Sequence, residues 1–240
     1  MEIISLAEQP GLLGRVQQMP NQWPTFMLQS PMARLLEPMI NNFPDLQLIM
    51  VDGGTPIARL HALPIAWHGA DELPVRGWDA ALEGANGLPE PTTAVSLIEA
   101  HFDPAYVGKG LSSTLLTAAR DRVRELGYRH LVGPVRPNQK PAEPRTPMAE
   151  YVARRRPDGL PADAWLRVHV RLGGKIIKIC PLSMVIPGTP DQWRTWTGLP
   201  FDRSGEVLVP GALTPVHVDL TQDHVVYVEP NVWIHHQLAE

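Results

Sequence analysis

Apolar residues recur with a helical period between residues 111 and 126. Polar and charged residues separate them, and Gly127 follows as a typical helix end. The preceding stretch, residues 92–102, is apolar and partly β-branched and has the length of a strand. The sequence therefore predicts a strand, a short turn and a helix, in that order. The helical stripe consists of Leu111, Leu115, Leu116, Ala119, Val123 and Leu126.

The predicted turn carries a glycine on each side of one lysine, Gly108-Lys109-Gly110. Glycines allow a tight turn and leave no side chain in the way of a ligand. The helix start that follows presents unpaired N–H groups and the positive end of the helix dipole, which favours a phosphate. A tight turn without a ligand is the alternative interpretation. The stretch is neither a P-loop nor a dinucleotide fingerprint, because neither glycine pattern is complete.

The rest of the chain predicts a mixture of strands and helices, and therefore an α/β fold. A hairpin is predicted over residues 46–67 around the turn Asp52-Gly53-Gly54, and a polar loop with one short helix over 68–90. Further strands are predicted at 1–6, 129–135 and 175–188, with two or three more in the tail after residue 204. Helices are predicted at 8–19, 31–43 and 148–156, the last after a proline-rich loop at 136–147.

Composition indicates a globular protein rather than a disordered or membrane-spanning one. Of the 240 residues, 44% are hydrophobic and 19% charged, and no apolar run reaches the length of a membrane span. The first residues lack the features of a secretory signal. The single Cys180 cannot form an internal disulfide, which suits a reducing cytoplasm, and its apolar surroundings indicate a buried structural thiol. We therefore expect a cytoplasmic protein.

Positive charge concentrates in residues 136–178, which hold ten basic and four acidic residues in a chain of net charge −4. A basic segment on an acidic protein suggests a polyanionic partner: a nucleotide-bearing cofactor, an acidic carrier protein or RNA. A solvated helix surface is the alternative.

The order of elements and the glycine loop resemble the GCN5-related N-acetyltransferase (GNAT) superfamily. Residues 105–110 match both glycines of the family's loop pattern [Q/R]-x-x-G-x-[G/A], but not its leading Gln or Arg. Val107 also stands where a basic residue is usual. The stretch "AHFDP" is similar to the family's "LAVxP", and "HVRLGGK" is similar to "Y-x-x-x-G-F" with His169 on the tyrosine.

The resemblance implies a GNAT-like mixed central sheet flanked by helices, with extra C-terminal strands. It implies one domain over residues 1–240, with a core at about 1–187 and an extension at 188–240. It also implies a pantetheine thioester as the donor, held by main-chain groups near one strand end and by the glycine loop. The implied donor-binding residues are Phe102, Val107, Gly108, Lys109, Gly110, Leu111, Ser112 and Asn138.

Three residues are candidates for proton transfer during acyl transfer to an amine. The resemblance places His169 where the family commonly uses a tyrosine as the acid. Glu99 and His101 are two apart on a predicted strand, so both side chains should share one face, as a base pair or as an ordinary surface pair. The stretch 165–179 also reads as a β-hairpin, which would place His169 on a solvated face.

The expected function is transfer of an acyl group from a pantetheine thioester, acyl-CoA or acyl carrier protein, to a small-molecule amine. The basic segment 136–178 would suit the acidic carrier protein. The alternatives are a non-catalytic acyl-CoA-binding module on the same fold and an aminoacyl-tRNA-dependent transferase. Histidine spacing implies no metal, and neither a membrane nor a nucleic acid is expected as a partner. Trp193 and Trp196 are expected in packing, with an acceptor pocket as the alternative.

Overall fold

The computed structural model describes residues 1–85 and 92–239, and one mixed sheet organises these ranges. The strands are β1 (Glu2–Ser5), β2 (Gln47–Asp52), β3 (Thr55–Ile65), β4 (Ala94–Phe102), β5 (His130–Val135), β6 (Lys175–Gly188), β7 (Gly205–Val207), β8 (Val216–Asp219) and β9 (His224–Gln237). The helices are α1 (Leu13–Gln17), α2 (Leu36–Asn42), α3 (Gly77–Ala85), α4 (Leu111–Glu125), α5 (Met148–Ala153), α6 (Ala164–Arg171) and α7 (Pro190–Thr197). The predicted α/β class with a GNAT-like mixed sheet is confirmed.

The strands follow the order β1-β2-β3-β4-β5-β9-β8-β7, with β6 also paired to β9. Among the strands of the described ranges, β4 and β5 are the only pair that runs parallel. Both β5 and β6 pair with residues 232–235 of β9, so they must occupy its two opposite edges. β8 pairs with residues 224–226 of β9, which lie past the end of β5.

The last strand lies inside the sheet rather than beside it. β9 pairs with β5 over residues 232–237 and with β6 over residues 225–235. The boundary expected near residue 187 therefore does not coincide with a break in the sheet, because the strand that completes it comes after that point. The elements that lie between β6 and β9 in the chain are α7, β7 and β8.

Apolar side chains form cores on both faces of the sheet. On one face α4 buries Leu115, Leu116, Ala119 and Val123 against β2, β3, β4 and β5, as its stripe predicted. On the other face α2 and α3 cover Leu63, Val132 and Trp233. Residues 86–91, the end of the loop predicted at 68–90, lie outside the described residues; α3 is the short helix expected there.

A third core joins the two ends of the chain. Phe26 packs against Trp193 and Tyr227, at centroid distances of 5.5 and 5.4 Å. Trp193 is fully buried, as expected for a packing residue. Residues 25–29 therefore pack against α7 and β9 through this core.

Several predicted helices are shorter than their sequence patterns. The helix expected at 8–19 is a 3₁₀ turn followed by α1, and the helix expected at 31–43 is a 3₁₀ turn followed by α2. The lack of side-chain caps contributes to the short lengths, since it leaves the first N–H groups of each helix without a partner. The segment around His169 is the helix α6 and not a hairpin strand; Gly173 follows it with φ +83°.

Candidate active site

The site begins where two parallel strands part. β4 and β5 pair only through Ala94–Ser96 and His130–Val132. Both strands continue, β4 to Phe102 and β5 to Val135, without further pairing to each other. A cleft therefore opens between their carboxyl ends. We call it the splayed cleft.

A β-bulge in β4 marks the point of divergence. His61 pairs with Glu99 and Ala62 pairs with Leu97, which leaves Ile98 as an extra residue on β4. The Ile98 carbonyl accepts a hydrogen bond from the indole of Trp78 on α3, at 3.1 Å. The bulge thereby bends β4 away from β5 without leaving that carbonyl unpaired.

Beyond the bulge, β4 offers main-chain groups to the cleft. The Asp103 N–H donates to the Ile57 carbonyl at 2.8 Å, so Phe102 and Ala58 form a non-hydrogen-bonded pair. The N–H and C=O of Phe102 therefore point away from β3, toward the splayed cleft. Here Gln22 Nε2 donates to the Phe102 carbonyl at 2.9 Å. A side-chain amide thus occupies the carbonyl that the resemblance assigned to a pantetheine amide.

The glycine loop leads directly from β4 to α4. Asp103 caps its first turn by accepting from the Ala105 N–H at 2.8 Å. Gly108 and Gly110 have φ values of +81° and +76°, which explains why glycine stands at both positions. Gly110 is the N-cap of α4 and offers no side chain, so the N–H groups of the first turn have no capping partner.

The loop offers one basic side chain. Lys109 lies over the ring of Tyr106, with Nζ 4.5 Å from the centroid, and the Tyr106 hydroxyl donates to Asp52 at 3.1 Å. Val107 is largely exposed beside it. Of the residues predicted to hold the donor, Val107 to Gly110 thus form an open turn at the mouth of the splayed cleft, and Leu111 and Ser112 begin α4. Their contact with a donor stays a prediction.

Asn138 has a structural partner here. Its Oδ1 accepts from the Trp165 N–H at 3.3 Å, while Gln139 Oε1 accepts from the Ala164 N–H at 2.9 Å. Asp163 caps the same helix end through the N–H groups of Trp165 and Leu166. Asn138 therefore helps to start α6, and its contact with a donor stays a prediction.

Glu99 and His101 share one face of β4, as their spacing predicted, but Glu99 is not a free base. Arg59 donates to both of its carboxylate oxygens at 2.9 Å, and Trp23 Nε1 adds a third bond at 2.8 Å. Burial alone would raise the pKa of Glu99, but the Arg59 guanidinium outweighs it and lowers that pKa to about 2. Glu99 is therefore ionised and already paired at neutral pH.

His101 has a defined tautomer in its neutral form. Its Nε2 lies 2.8 Å from the Pro20 carbonyl, and a carbonyl can only accept, so Nε2 carries the hydrogen. The lone pair of the neutral ring is then on Nδ1. His61, the other histidine beside Glu99, is buried, and its burial lowers its pKa to about 4. Of these two rings, His101 is the one whose neutral tautomer is fixed by a main-chain carbonyl.

Residues 18–24, which we call the roof segment, cross over the carboxyl half of β4. Pro20 bonds to His101, Gln22 to Phe102, and Trp23 to Glu99. The segment therefore contacts three of the last four residues of β4. Nothing in the local sequence of residues 18–24 pointed to this position.

A buried polar network forms the opposite wall of the splayed cleft. Arg136 follows the last residue of β5 and donates from Nε to Glu229 at 3.0 and 3.1 Å. Glu229 also accepts from the Tyr227 hydroxyl at 2.8 Å and from Asn231 Nδ2 at 3.1 Å. Ser183 completes the network by donating to Asn231 at 2.6 Å. Sequence reasoning missed this wall; the available signal was one acidic residue inside the apolar run 225–234.

His169 lies in a buried histidine pair. Its ring is fully buried, with Nδ1 3.0 Å from Nε2 of His236 on β9, and Trp165 packs edge-on against it at 4.5 Å. Burial holds the pKa of His169 well below its usual range, so the ring is neutral at pH 7. Its Nε2 has no hydrogen-bond partner among the described residues. A catalytic role for His169 stays a prediction.

Much of the charge in the basic segment 136–178 is neutralised locally. Arg154 pairs with Glu143 and Glu150, and Arg156 pairs with Asp158. Arg145 pairs with Glu206, which lies outside the segment. These pairs favour the interpretation as a solvated helix and loop surface. Docking of an acidic carrier protein there stays a prediction.

The described residues form neither a metal-ligand cluster nor a helix that could span a membrane. Residues 1–85 and 92–239 contain no group of three or more His, Cys, Asp or Glu side chains arranged to ligate a metal. None of the helices in those ranges combines the length and the apolarity that crossing a bilayer requires. Cys180 is buried, as predicted, and burial raises the pKa of its thiol to about 12.

A central sheet with a splayed parallel pair, a bulge at the divergence and a glycine turn into a helix are the features of a GNAT-type fold. The loading GNATL domain of CurA from Lyngbya majuscula superposes with a TM-score of 0.63 at 16% identity, over 99% of this chain and 97% of that domain. GphF, a GNAT-like decarboxylase solved with isobutyryl-CoA, superposes with a TM-score of 0.59 at 19% identity over the full length of both chains.

A sequence relative agrees with the structural likeness. The arginine N-acetyltransferase avaD of Aspergillus versicolor is 29% identical over a 252-residue alignment that covers 92% of this chain and 87% of that protein. No family model matches the chain. The chain is therefore similar to the GCN5-related N-acetyltransferase superfamily in fold and to one N-acetyltransferase in sequence, as its element order and glycine loop indicated.

Proposed function

We propose that the protein transfers an acyl group from acyl-CoA to the primary amine of an amino acid or a related small molecule. The single observation that carries the proposal is the splayed cleft, with the unpaired edge of β4 on one side and the glycine loop at its mouth. The relative that acetylates arginine supports an amino-acid acceptor. The neighbour solved with isobutyryl-CoA supports a CoA thioester as the donor.

In this proposal the donor lies along β4. The N–H and C=O of Phe102 bond the pantetheine amides, and Gln22 gives up its bond to the Phe102 carbonyl when the donor binds. The pyrophosphate lies against the N–H groups that follow Gly108 and Gly110, with Lys109 beside it. The open turn and the uncapped first turn of α4 support this placement.

His101 is the proposed general base. The amine nitrogen attacks the thioester carbonyl, His101 Nδ1 takes one amine proton, and the carbon–sulfur bond breaks. The products are the amide and the CoA thiol, which is protonated as the base returns to its neutral form. Glu99 is assigned a positioning role, because its low pKa makes it a poor base and its bonds hold Arg59 and Trp23.

A second donor has one supporting observation. Val107 replaces the basic residue usual before the first glycine and is exposed at the loop, which weakens the site for a pyrophosphate. A carrier protein presents pantetheine through a single phosphodiester. We therefore include acyl carrier protein as the alternative donor, with the basic segment 136–178 as its proposed contact surface.

Intact mass spectrometry tests the proposal. Wild-type protein is mixed with acetyl-CoA or acetyl-carrier protein and a panel of amino acids that includes arginine, and the amines are weighed. We expect a gain of one acetyl group on an amino acid. His101→Gln, which keeps a donor for the Pro20 carbonyl, should lower kcat by about 10²–10⁴-fold with an unchanged Kd for acetyl-CoA. Absence of any acylated amine with both donors would refute the function.

A further inference from the structure

The Arg136 side chain lies at the splayed cleft, and its hydrogen bonds involve some of its nitrogens but not all of them. Its side chain is 16% exposed. Nε bonds Glu229, and Nη2 bonds the Gly211 carbonyl. The Tyr227 hydroxyl also interacts with the guanidinium, but among the described residues no hydrogen bond of standard geometry reaches Nη1. Since an arginine fork has five donors, this guanidinium retains binding capacity on one side.

Its partners hold the guanidinium rigidly and keep it charged. Glu229 is 1% exposed and is itself fixed by Tyr227 and Asn231. Burial would lower the pKa of Arg136, but the Glu229 carboxylate outweighs burial and raises it. The Tyr227 hydroxyl stays protonated because burial, and then Glu229, raise its pKa. A second carboxylate would therefore meet a charged and pre-oriented donor.

Trp23 connects this guanidinium to the other wall of the cleft. The Arg136 guanidinium lies 5.7 Å from the centroid of the Trp23 ring. The same indole donates to Glu99 on β4 at 2.8 Å. One aromatic side chain therefore reaches both walls, and Arg136 lies next to the space where β4 and β5 diverge.

We propose that Arg136 anchors a carboxylate of the substrate through its unpartnered Nη1, with the Trp23 ring beneath the guanidinium. Arginine is the side chain that geometry favours for carboxylate recognition. The carboxylate has two possible sources: the free acid of an amino-acid acceptor, or the far end of a dicarboxylic acyl thioester. This inference rests on the proposed function, whose site it extends by one specificity-determining residue.

The first experiment uses the wild-type protein and matched substrates. In the acceptor arm, KM is compared for arginine, argininamide and agmatine with acetyl-CoA. In the donor arm, calorimetric affinity is compared for malonyl-CoA and butyryl-CoA. A KM that is about 10- to 100-fold lower for arginine than for the two analogues that lack the carboxylate assigns the carboxylate to the acceptor. A similar preference for malonyl-CoA assigns it to the acyl group. Equal values in both arms overturn the inference.

The second experiment uses Arg136→Lys, which keeps a positive charge beside Glu229 but loses the planar fork. We expect its KM for the preferred carboxylate substrate to rise about 10- to 100-fold, while kcat and the KM values for the analogues that lack the carboxylate stay within threefold. Arg76→Lys, at an exposed pair with Glu83, is the matched control and should change neither KM nor kcat. An equal loss for substrates with and without the carboxylate would show a merely structural Arg136 and overturn the inference.

Failure of the inference and failure of the proposed function give different results. Calorimetric binding of arginine and of malonyl-CoA is measured without turnover. Carboxylate-dependent binding that is lost in Arg136→Lys supports the inference even if no amine is ever acylated. Turnover that ignores the carboxylate refutes the inference and leaves the proposed function standing. If the lysine variant fails to fold by circular dichroism, the wild-type comparison alone decides.

Discussion

A carboxylate placed in the first turn of α4 should separate donor binding from folding. Ser113 is exposed and is the third residue of the helix after the N-cap Gly110. The first turn holds no acidic residue. Ser113→Asp puts a negative charge next to the positive end of the helix dipole, which stabilises helices by about 0.3–1 kcal/mol. The free energy of unfolding should therefore stay equal or rise.

Donor affinity should move in the opposite direction. If the CoA pyrophosphate lies against these N–H groups, its two negative charges come within roughly 6 Å of the new carboxylate. At the dielectric constant of water each repulsion is about 0.7 kcal/mol, and the sum of about 1.4 kcal/mol corresponds to a tenfold loss in affinity. A lower local dielectric enlarges the loss. We expect Kd for acetyl-CoA to rise at least about tenfold.

Calorimetric titration with acetyl-CoA measures the affinity, and urea unfolding measures the stability. Ser113→Asn has nearly the same shape without the charge and should leave Kd within about threefold. Added salt should reduce the difference between the two variants, because it screens exposed charges. An Asp variant that binds acetyl-CoA as tightly as the Asn variant would refute the placement of the pyrophosphate at this helix start.

Two further predictions concern buried groups. Burial raises the pKa of Asp79 to about 6, so the stability that its protonated form contributes is fully present below about pH 3.8 and is lost as pH rises through 6. Asp79→Asn should therefore raise the free energy of unfolding by about 1–3 kcal/mol at pH 7.5. Urea titrations that show the same gain at pH 4 would contradict this cause. His169→Phe replaces a ring that is neutral at pH 7 with an apolar ring, so kcat should fall less than tenfold. The free energy of unfolding should fall by about 1–3 kcal/mol, because the hydrogen bond to His236 is lost. Steady-state kinetics that show a loss of 10²-fold or more in kcat would instead support the acid role.

Local patterns predicted most of the elements. The stripe from Leu111 to Leu126 predicted α4, and the turn at residues 52–54 predicted the hairpin of β2 and β3. The start of α7 was not predicted, although its signal is local: Thr189 and Gln192 form a capping box, a motif that can be read from sequence. Where a signal is carried by residues within one turn or one strand, sequence therefore suffices.

The walls of the splayed cleft could not be predicted in this way. Trp23 and Glu99 are 76 residues apart, and Arg136 and Glu229 are 93 apart. No period or spacing links such residues, because their contacts depend on how the whole sheet is assembled. Glu99 shows both cases. The strand face on which it lies was predicted from local spacing, but its ion pair with Arg59, which makes it a poor base, depends on the neighbouring strand.

The packing of Phe26 against Trp193 and Tyr227 has a consequence for synthesis on the ribosome. The roof segment leaves the ribosome before the residues that anchor its continuation, because Trp193 and Tyr227 are translated 167 and 201 residues after Phe26. Since contacts between distant residues form late, the nascent chain should hold its roof segment loosely until β9 has emerged. The protein would then gain the ability to bind substrate in one late step of synthesis. A stalled chain that ends before residue 224 would carry a complete glycine loop and no finished cleft.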